Sequence, residues 1–482
     1  MKTSHKLAAI AGALCLGATL AVPIWTSRQV DERLQAWAQK PAHQSDVQLR
    51  KLQHQAGFLS SSGTAELVVR SRCSDDADEQ AGMVVQVSYQ ISHLPRPSGL
   101  NAFSWKMSPQ GEAATAFKAL FGTQDALTGQ GYLSWSRQIE SDVRLPAMSL
   151  AEGGGSIEAS PSLGALTVGD KRVAFSWNID DAQLRSPDFV ARVQGLALSM
   201  DLDNWQRGTG TASFKVQRIS TRDSTLEGLS IESTSSEKDG RLDSVLRQHL
   251  DRIQAGQREV KDVAFDLALR GMHADSVEKL TQLFSQSCGI ERMTQAERQV
   301  MRDAMRTLIS QGMSLHLDKL KGRSTQGALE GDLAITLKPA NQSGAIRMAE
   351  LLTTSGHVTL QGDLVSPDLR QMATAMGWGR VRQGSLESSF HYERGQLKIL
   401  DKLVDATGLQ QALAVADTVI LALLEDRVPP GMATRELEDQ DQAEAESDPE
   451  EAFVDDTAPD ATEATEATPA PEETQAAPGR SV

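Results

Sequence analysis

Cysteine is almost missing from this chain. The 482 residues carry three, Cys15, Cys73 and Cys288. None lies in a CxxC or Cys/His spacing, which excludes a zinc site of the usual pattern and a disulfide-dense scaffold. Cys15 sits inside an apolar run, so Cys73 and Cys288 are the one pair in the body that an oxidising compartment would allow to bridge. An excess of positive charge is missing too. Lys and Arg number 48 against 64 Asp and Glu, for a net charge of −16. Residues 436–482 hold sixteen acidic side chains and one basic one, Arg480, which accounts for −15 of that total. The remainder is nearly neutral and has no concentrated basic face, so no nucleic-acid partner is expected.

Catalytic signatures are absent as well. There is no GxSxG, HExxH, P-loop or EF-hand spacing. Gly208-Thr209-Gly210 lacks the third glycine of a nucleotide loop, and Gly377-Trp378-Gly379 has Gly384 at the wrong distance. Ser235-Ser236-Glu237-Lys238 fits S-x-x-K without any partner motif. Asp75, Asp76, Asp78 and Glu79 are chemically able to hold calcium, but a charged hairpin turn accounts for them equally well. The nine histidines are scattered. His316 and His391 fall on the polar faces of strand patterns. His93, ahead of Leu94-Pro95-Arg96-Pro97, ends a strand, where a turn-stabilising hydrogen bond is expected. An enzyme built on this chain would have to use His93 with the acidic cluster. Nothing calls for a cofactor or a metal, and the chain reads as non-catalytic.

What is present begins at the N-terminus. Lys2, His5 and Lys6 precede an uncharged run of nineteen residues, 7–25, close to the ~20 that span a bilayer. Trp25 suits the membrane interface, and Lys2 and Lys6 suit the cytoplasmic side. The run is longer than the apolar core of a cleaved signal. Residues 1–27 are therefore read as a signal anchor that places the body outside the cytoplasm; the alternative is a cleaved signal after Ala21 and a soluble body.

Beyond a short amphipathic helix over 29–39, the pattern changes to period two. Val85, Val87, Tyr89 and Ile91 alternate with polar residues; so do Val173, Phe175, Trp177 and Ile179. The sets Leu196, Leu198, Met200, Leu202 and Val263, Phe265, Leu267, Leu269 repeat the pattern. Shorter runs recur at 214–216, 229–231, 313–317, 333–337 and 358–360. Such alternation predicts antiparallel sheet with one covered face. Helices are expected over 275–286, opened by Asp275 and Glu278, and over 296–310, opened by a Thr294/Glu297 capping box. A third should follow Ser366-Pro367, and a longer one should cover 405–424. From about Pro429 the chain is Glu, Asp, Ala, Thr and Pro, with too little to bury to offset the entropy of ordering. The fold class is thus α+β and β-rich: extended antiparallel sheet with helices packed on one face, an N-terminal transmembrane helix and a disordered acidic tail. The divisions are 1–27 anchor, 28–235 N-terminal β-rich region, 236–428 C-terminal α+β region and 429–482 tail. The internal boundary is set by the polar residues at 233–239.

Three features, taken in order, resemble the YdgA-like family of membrane-anchored bacterial envelope proteins. They are the anchor; the stretch Gly57-Phe58-Leu59-Ser60-Ser61 after a strand; and a His-x-Pro element, His93-Leu94-Pro95. The unit from Val263 to Asp275, a strand running into a helix, also agrees. The resemblance covers residues 3–401 and departs from the family at Leu94, where glycine is usual, and at His54 and Gln55. It implies an inner-membrane, single-pass protein with its body in the periplasm and no known catalytic residues. The family's biochemical function is unknown; the alternation joined to the anchor suggests a structural or protein-interaction body, or a lipid-binding module that lays phospholipid acyl chains on an apolar sheet face with Phe265, Leu267 and Leu269 facing the lipid, and the remaining alternative is an envelope hydrolase. Partners would be the membrane, phospholipid or other envelope proteins.

Overall fold

The computed structural model describes residues 47–69, 83–122, 127–152, 154–287, 290, 293–340 and 347–425, together with 31, 32, 34–36 and 39. The anchor run, the acidic cluster at 75–79, all three cysteines and the acidic tail lie outside the described residues. Among the described residues no helix is long and apolar enough to cross a membrane.

The chain runs as a nearly uninterrupted meander. In order it forms β1 (Val47–Gln55), β2 (Ser60–Val69), β3 (Met83–Ser92), β4 (Gly99–Pro109), helix α1 (Glu112–Phe121), β5 (Leu127–Ser134) and β6 (Ile139–Leu145). The hairpin β7 (Met148–Glu152) and β8 (Gly155–Ala159) leads to β9 (Ser162–Val168). Six long strands follow: β10 (Val173–Arg185), β11 (Val190–Asn204), β12 (Thr209–Thr221), β13 (Ser224–Lys238), β14 (Arg241–Ala255) and β15 (Arg258–His273). Two helices, α2 (Ala274–Gln286) and α3 (Gln295–Gln311), interrupt the sheet before β16 (Met313–Ser324) and β17 (Gly327–Leu337). The C-terminal part is α4 (Met348–Leu351), β18 (Leu352–Gly362), α5 (Pro367–Ala375), β19 (Arg380–Arg382), β20 (Ser385–Glu393), β21 (Gln396–Ile399), β22 (Lys402–Val404) and α6 (Thr407–Glu425).

Each long strand pairs antiparallel with its neighbour in sequence, and β6 pairs with β9 around the β7–β8 excursion. The result is one antiparallel sheet from β1 to β22. The division at 235/236 falls inside β13, where Ser235 pairs with both Gly210 and Ser244. Its polar residues are there because one face of the sheet is polar, not because the chain passes between domains.

Pairing carries each side chain's face from strand to strand. One row of opposed positions starts at Ser61 on β2 and passes through Phe103, Leu166, Phe175, Met200, Leu246 and Leu267. It ends at Ile399 on β21 after seventeen strands, without one charged residue. The parallel row on the opposite face reads Ser62, Gln90, Ser104, Gln130, Asp142 and, further on, Glu232, Arg247, Asp266 and Lys319. That polar face carries the ion pairs Arg192–Asp181, Lys215–Glu232 and Arg218–Glu227, and Arg252 continues the chain to Glu259.

The helices do less covering than the alternation predicts. Their main packing is on β4, β7, β15, β17 and β19 and on one another; towards β11–β14 they reach the strand ends, where Arg207 binds Asp275 and Glu278 and Arg241 donates to Gln311. Helices α2 and α3 meet through Leu283, Met293 and Met301, and α3 and α6 close over Leu337 through Ile309 and Leu424. They cap one end of the β15–β17 strands instead of roofing the sheet. The Thr294/Glu297 capping box and the Ser366 cap, which accepts from the Leu369 backbone N–H, are formed. Helix α2 is opened differently from expectation: His273, not Asp275, is its cap, accepting from Ser276 N–H through the ring. Asp417, which interrupts the apolar stripe of α6, accepts from the Met348 backbone N–H at 2.7 Å.

Candidate functional site: the creased apolar face

The six long strands have 13 to 16 residues, well beyond the usual 5–6. A single row of mutually opposed positions crosses them: Asp180, Gly195, Gln217, Gly228, Asp251 and Asp262. Each is skipped by the regular pairing on both sides. Every second member has a left-handed backbone: Gly195 at φ 61°, Gly228 at φ 68° and Asp262 at φ 53°. Only glycine enters this region freely, with aspartate next. A left-handed residue inside a strand lets the chain kink and resume its pleat one residue out of phase.

The sequence follows that slip. Above the row the apolar positions of β11 are Leu196, Leu198, Met200 and Leu202; below it the apolar position is Val193. In β12 Phe214 and Val216 give way to Ile219, and in β13 Leu229 and Ile231 give way to Leu226. The register pairs Val193 with Ile219 and Ile219 with Leu226, so the apolar side chains stay together on one face across the kink. Beside the crease, Val216 is 2% exposed and Leu250 8%, whereas Leu198, one row further out, is 39% exposed and Ile253 on the other side 36%. Ile179, Leu196, Leu229 and Val263, also beside the crease, are half-buried, and we read the crease as a shallow trough that runs along the hydrogen-bonding direction.

Aromatic rings pave this face. Tyr89, Trp105, Phe103, Trp177 and Phe390 are each paired directly with a glycine on the adjacent strand: Gly63, Gly129, Gly131, Gly164 and Gly356. A methyl group on any of these glycines would meet the ring of its partner at 2.4–2.7 Å, so each ring lies flat across the glycine. Cross-strand aromatic–glycine pairs of this kind hide backbone that would otherwise be bare. They also lower the relief of the face, leaving a smooth apolar floor.

At the N-terminal end of the sheet the two family-like motifs come together. Ser61 Oγ lies 3.0 Å from His93 Nε2, and the His93 backbone N–H donates to Leu59 O at 2.8 Å. Ser61 is 2% exposed and His93 0%. Burial, with His54 close by, holds the His93 imidazole below its ordinary pKa. His54 Nδ1 pairs with the Tyr89 hydroxyl at 2.9 Å across Gly63. Asn101, also buried, follows on β4 in line with His93. Among the described residues no acid orients His93, and its Nδ1 has no partner. A serine–histidine contact sealed from solvent, with no carboxylate behind it, locks a corner of the sheet and offers a substrate nothing to reach. Of the remaining motif residues, Phe58 and Leu59 are exposed, while Gly57 and Pro95 are half-buried. Phe265, Leu267 and Leu269 sit on the apolar face of β15, half-buried. The residues at the middle of the trough, Leu196, Leu198, Phe214 and Val216, were legible only as strands. The signal that singles them out is the phase slip at Gly195 and Gly228. Among the described residues no three of His, Cys, Asp and Glu gather as metal ligands would.

Among the described residues the fold is one large antiparallel sheet whose most distinctive surface is a creased apolar face. The chain belongs to the family described as a bacterial protein of unknown function, DUF945, whose model matches residues 1–404. No curated protein and no solved structure matches it.

Proposed function

We propose that this chain is a non-catalytic, YdgA-like protein of the bacterial envelope, anchored in the inner membrane by residues 7–25, which holds lipid acyl chains on the creased apolar face of its periplasmic sheet. The observation that carries this reading is the uncharged stripe across β9–β14, which among the described residues lies away from the main packing of the helices. Four inter-strand gaps of about 4.8 Å and some ten residues at about 3.3 Å make a face of roughly 600 Å² over β10–β14. Monomeric soluble proteins seldom expose apolar patches beyond a few hundred Å². An acyl chain is long, flexible and without hydrogen-bonding groups along its length. It needs a smooth apolar bed and no convergent polar contacts. The anchor would keep such a bed beside a lipid source. A hydrolytic role is disfavoured by the sealed Ser61–His93 pair.

Native mass spectrometry of the full chain, released gently from membranes, tests the proposal. A stoichiometric phospholipid is expected, and it should be lost in Leu198→Asp, a substitution at a position exposed enough to leave the fold intact. A folded, lipid-free wild-type chain refutes lipid carriage and leaves a structural or protein-interaction role.

A further inference from the structure

The apolar face does not stop at the last long strand. The row beside the crease passes the bulge opposite Gly322 and continues through Leu329, Leu360 and Leu386 to Val381 on β19. There it meets the densest run of exposed apolar side chains among the described residues. Leu364, Leu369, Met372, Met376, Trp378 and Val381 fall within eighteen residues, and each is 40–54% exposed. They belong to α5 and to the segments joining it to β18 and β19. These segments leave β18 at its Gly362 end, whereas the helical cap of α3 and α6 closes over Leu337, which pairs with Leu352 at the opposite end of β18. The rim, built on α5, therefore lies at the end away from the α3–α6 cap over Leu337.

We propose that this rim docks on a lipid leaflet and is the port through which acyl chains enter and leave the apolar face; the port function rests on the acyl-binding reading above. Continuity argues for lipid as the occupant, because the apolar row of the sheet leads to the patch, passing Leu386, which is buried beside Gly379, before it reaches the exposed Val381. So does composition. Trp378 is the side chain that settles at a membrane interface. Leucine and methionine on a short helix supply an apolar face that sinks to the headgroup level. Arginines stand beside it: Arg370 donates to the Gly362 and Val365 carbonyls, Arg380 pairs with Glu387 at 3.1 Å, and Arg382 is exposed with no partner among the described residues. Arg382 is thus available to a lipid phosphate, while Asp363 and Asp368 at the margin keep the patch from binding by charge alone.

The test uses the full chain in nanodiscs, mixed with separate vesicles of phosphatidylethanolamine and phosphatidylglycerol and read by flotation. Wild-type nanodiscs should float with the vesicles. Met372→Asp/Met376→Asp should reduce capture about tenfold or more, because both variants share the same N-terminal segment and differ only at the rim. Trp378→Ala is the milder second variant, expected to weaken capture with an unchanged circular dichroism spectrum. Capture that survives the double substitution overturns the docking, as does pairing of nanodiscs with each other in place of vesicles. Leu198→Asp separates the two readings: it should leave vesicle capture intact while abolishing bound lipid. If the wild type captures vesicles yet never carries lipid, the port role falls and the docking stands.

Discussion

The flat packing of aromatic rings over glycines makes a sharp claim about one methyl group. Gly129 on β5 has ordinary extended backbone, so alanine suits its conformation and would normally gain about 0.5–1 kcal/mol over glycine in a strand. Here a methyl carbon would sit 2.4 Å from the Trp105 ring and 2.4 Å from the Asp142 carbonyl oxygen. The ring must lift, and with it goes the Trp105 Nε1–H donation to Ser141 Oγ at 3.0 Å. Overpacking costs about 1–3 kcal/mol and the lost hydrogen bond about 1 kcal/mol. Set against the glycine gain, Gly129→Ala should destabilise by about 1–3 kcal/mol. Gly322 on β16 is the matched control: it also lies outside the left-handed region, and a methyl carbon there meets nothing within 4 Å. Gly322→Ala should stabilise by about 0.4–1 kcal/mol. Urea unfolding of the full chain in one detergent, followed by far-UV circular dichroism and tryptophan fluorescence, gives the two midpoints. A Gly129→Ala midpoint at or above that of the wild type refutes the ring-on-glycine account.

Two further outcomes follow from the crease and the corner. Gly228→Ala places a side chain at φ 68° with a methyl carbon 1.8 Å from the Asp251 carboxylate. It should cost about 1–2 kcal/mol and reduce bound lipid, and unchanged lipid occupancy in the folded variant would count against the trough. His93→Ala removes a wholly buried imidazole and strands Ser61, so a loss of about 2–4 kcal/mol is expected in the same urea assay. The pH dependence of stability carries its own sign. Because the folded-state pKa of His93 is lowered by burial, the unfolded chain binds the proton more tightly. Stability is therefore complete above the unfolded value of about 6.5 and falls as the pH drops below it towards the folded value. His93→Phe should flatten that part of the profile, and an unaltered slope would show that another group titrates there.

Much of the sheet is legible in the order of the residues. Alternation at Val85–Ile91, Val173–Ile179, Leu196–Leu202 and Val263–Leu269 placed strands β3, β10, β11 and β15, because the pleat has a period of two and one face avoids water. Capping chemistry placed the starts of α3 and α5, because Thr294, Glu297 and Ser366 satisfy backbone N–H groups within three residues of themselves. These are local facts, decided by neighbours along the chain. Cover is not local. The alternation says that one face is apolar, but whether α2 and α3 roof it or pack on each other depends on where the loops release them. Only the tertiary structure set the helices towards the strand ends, with their main packing on β15 and β17. The same holds for the crease. Gly195, Gly228 and Asp262 are separated by more than thirty residues from one to the next, and their phase slips look like unrelated irregularities until pairing aligns them in one row. Ser61 and His93, too, were separate motifs on separate strands, and the β2–β3 register brought them within 3.0 Å of each other. Sequence determined which residues prefer a sheet and which face is apolar, because those preferences are written within a few residues. Register, cover and curvature were decided by long-range pairing, where the partner lies too far along the chain for any local pattern to name it.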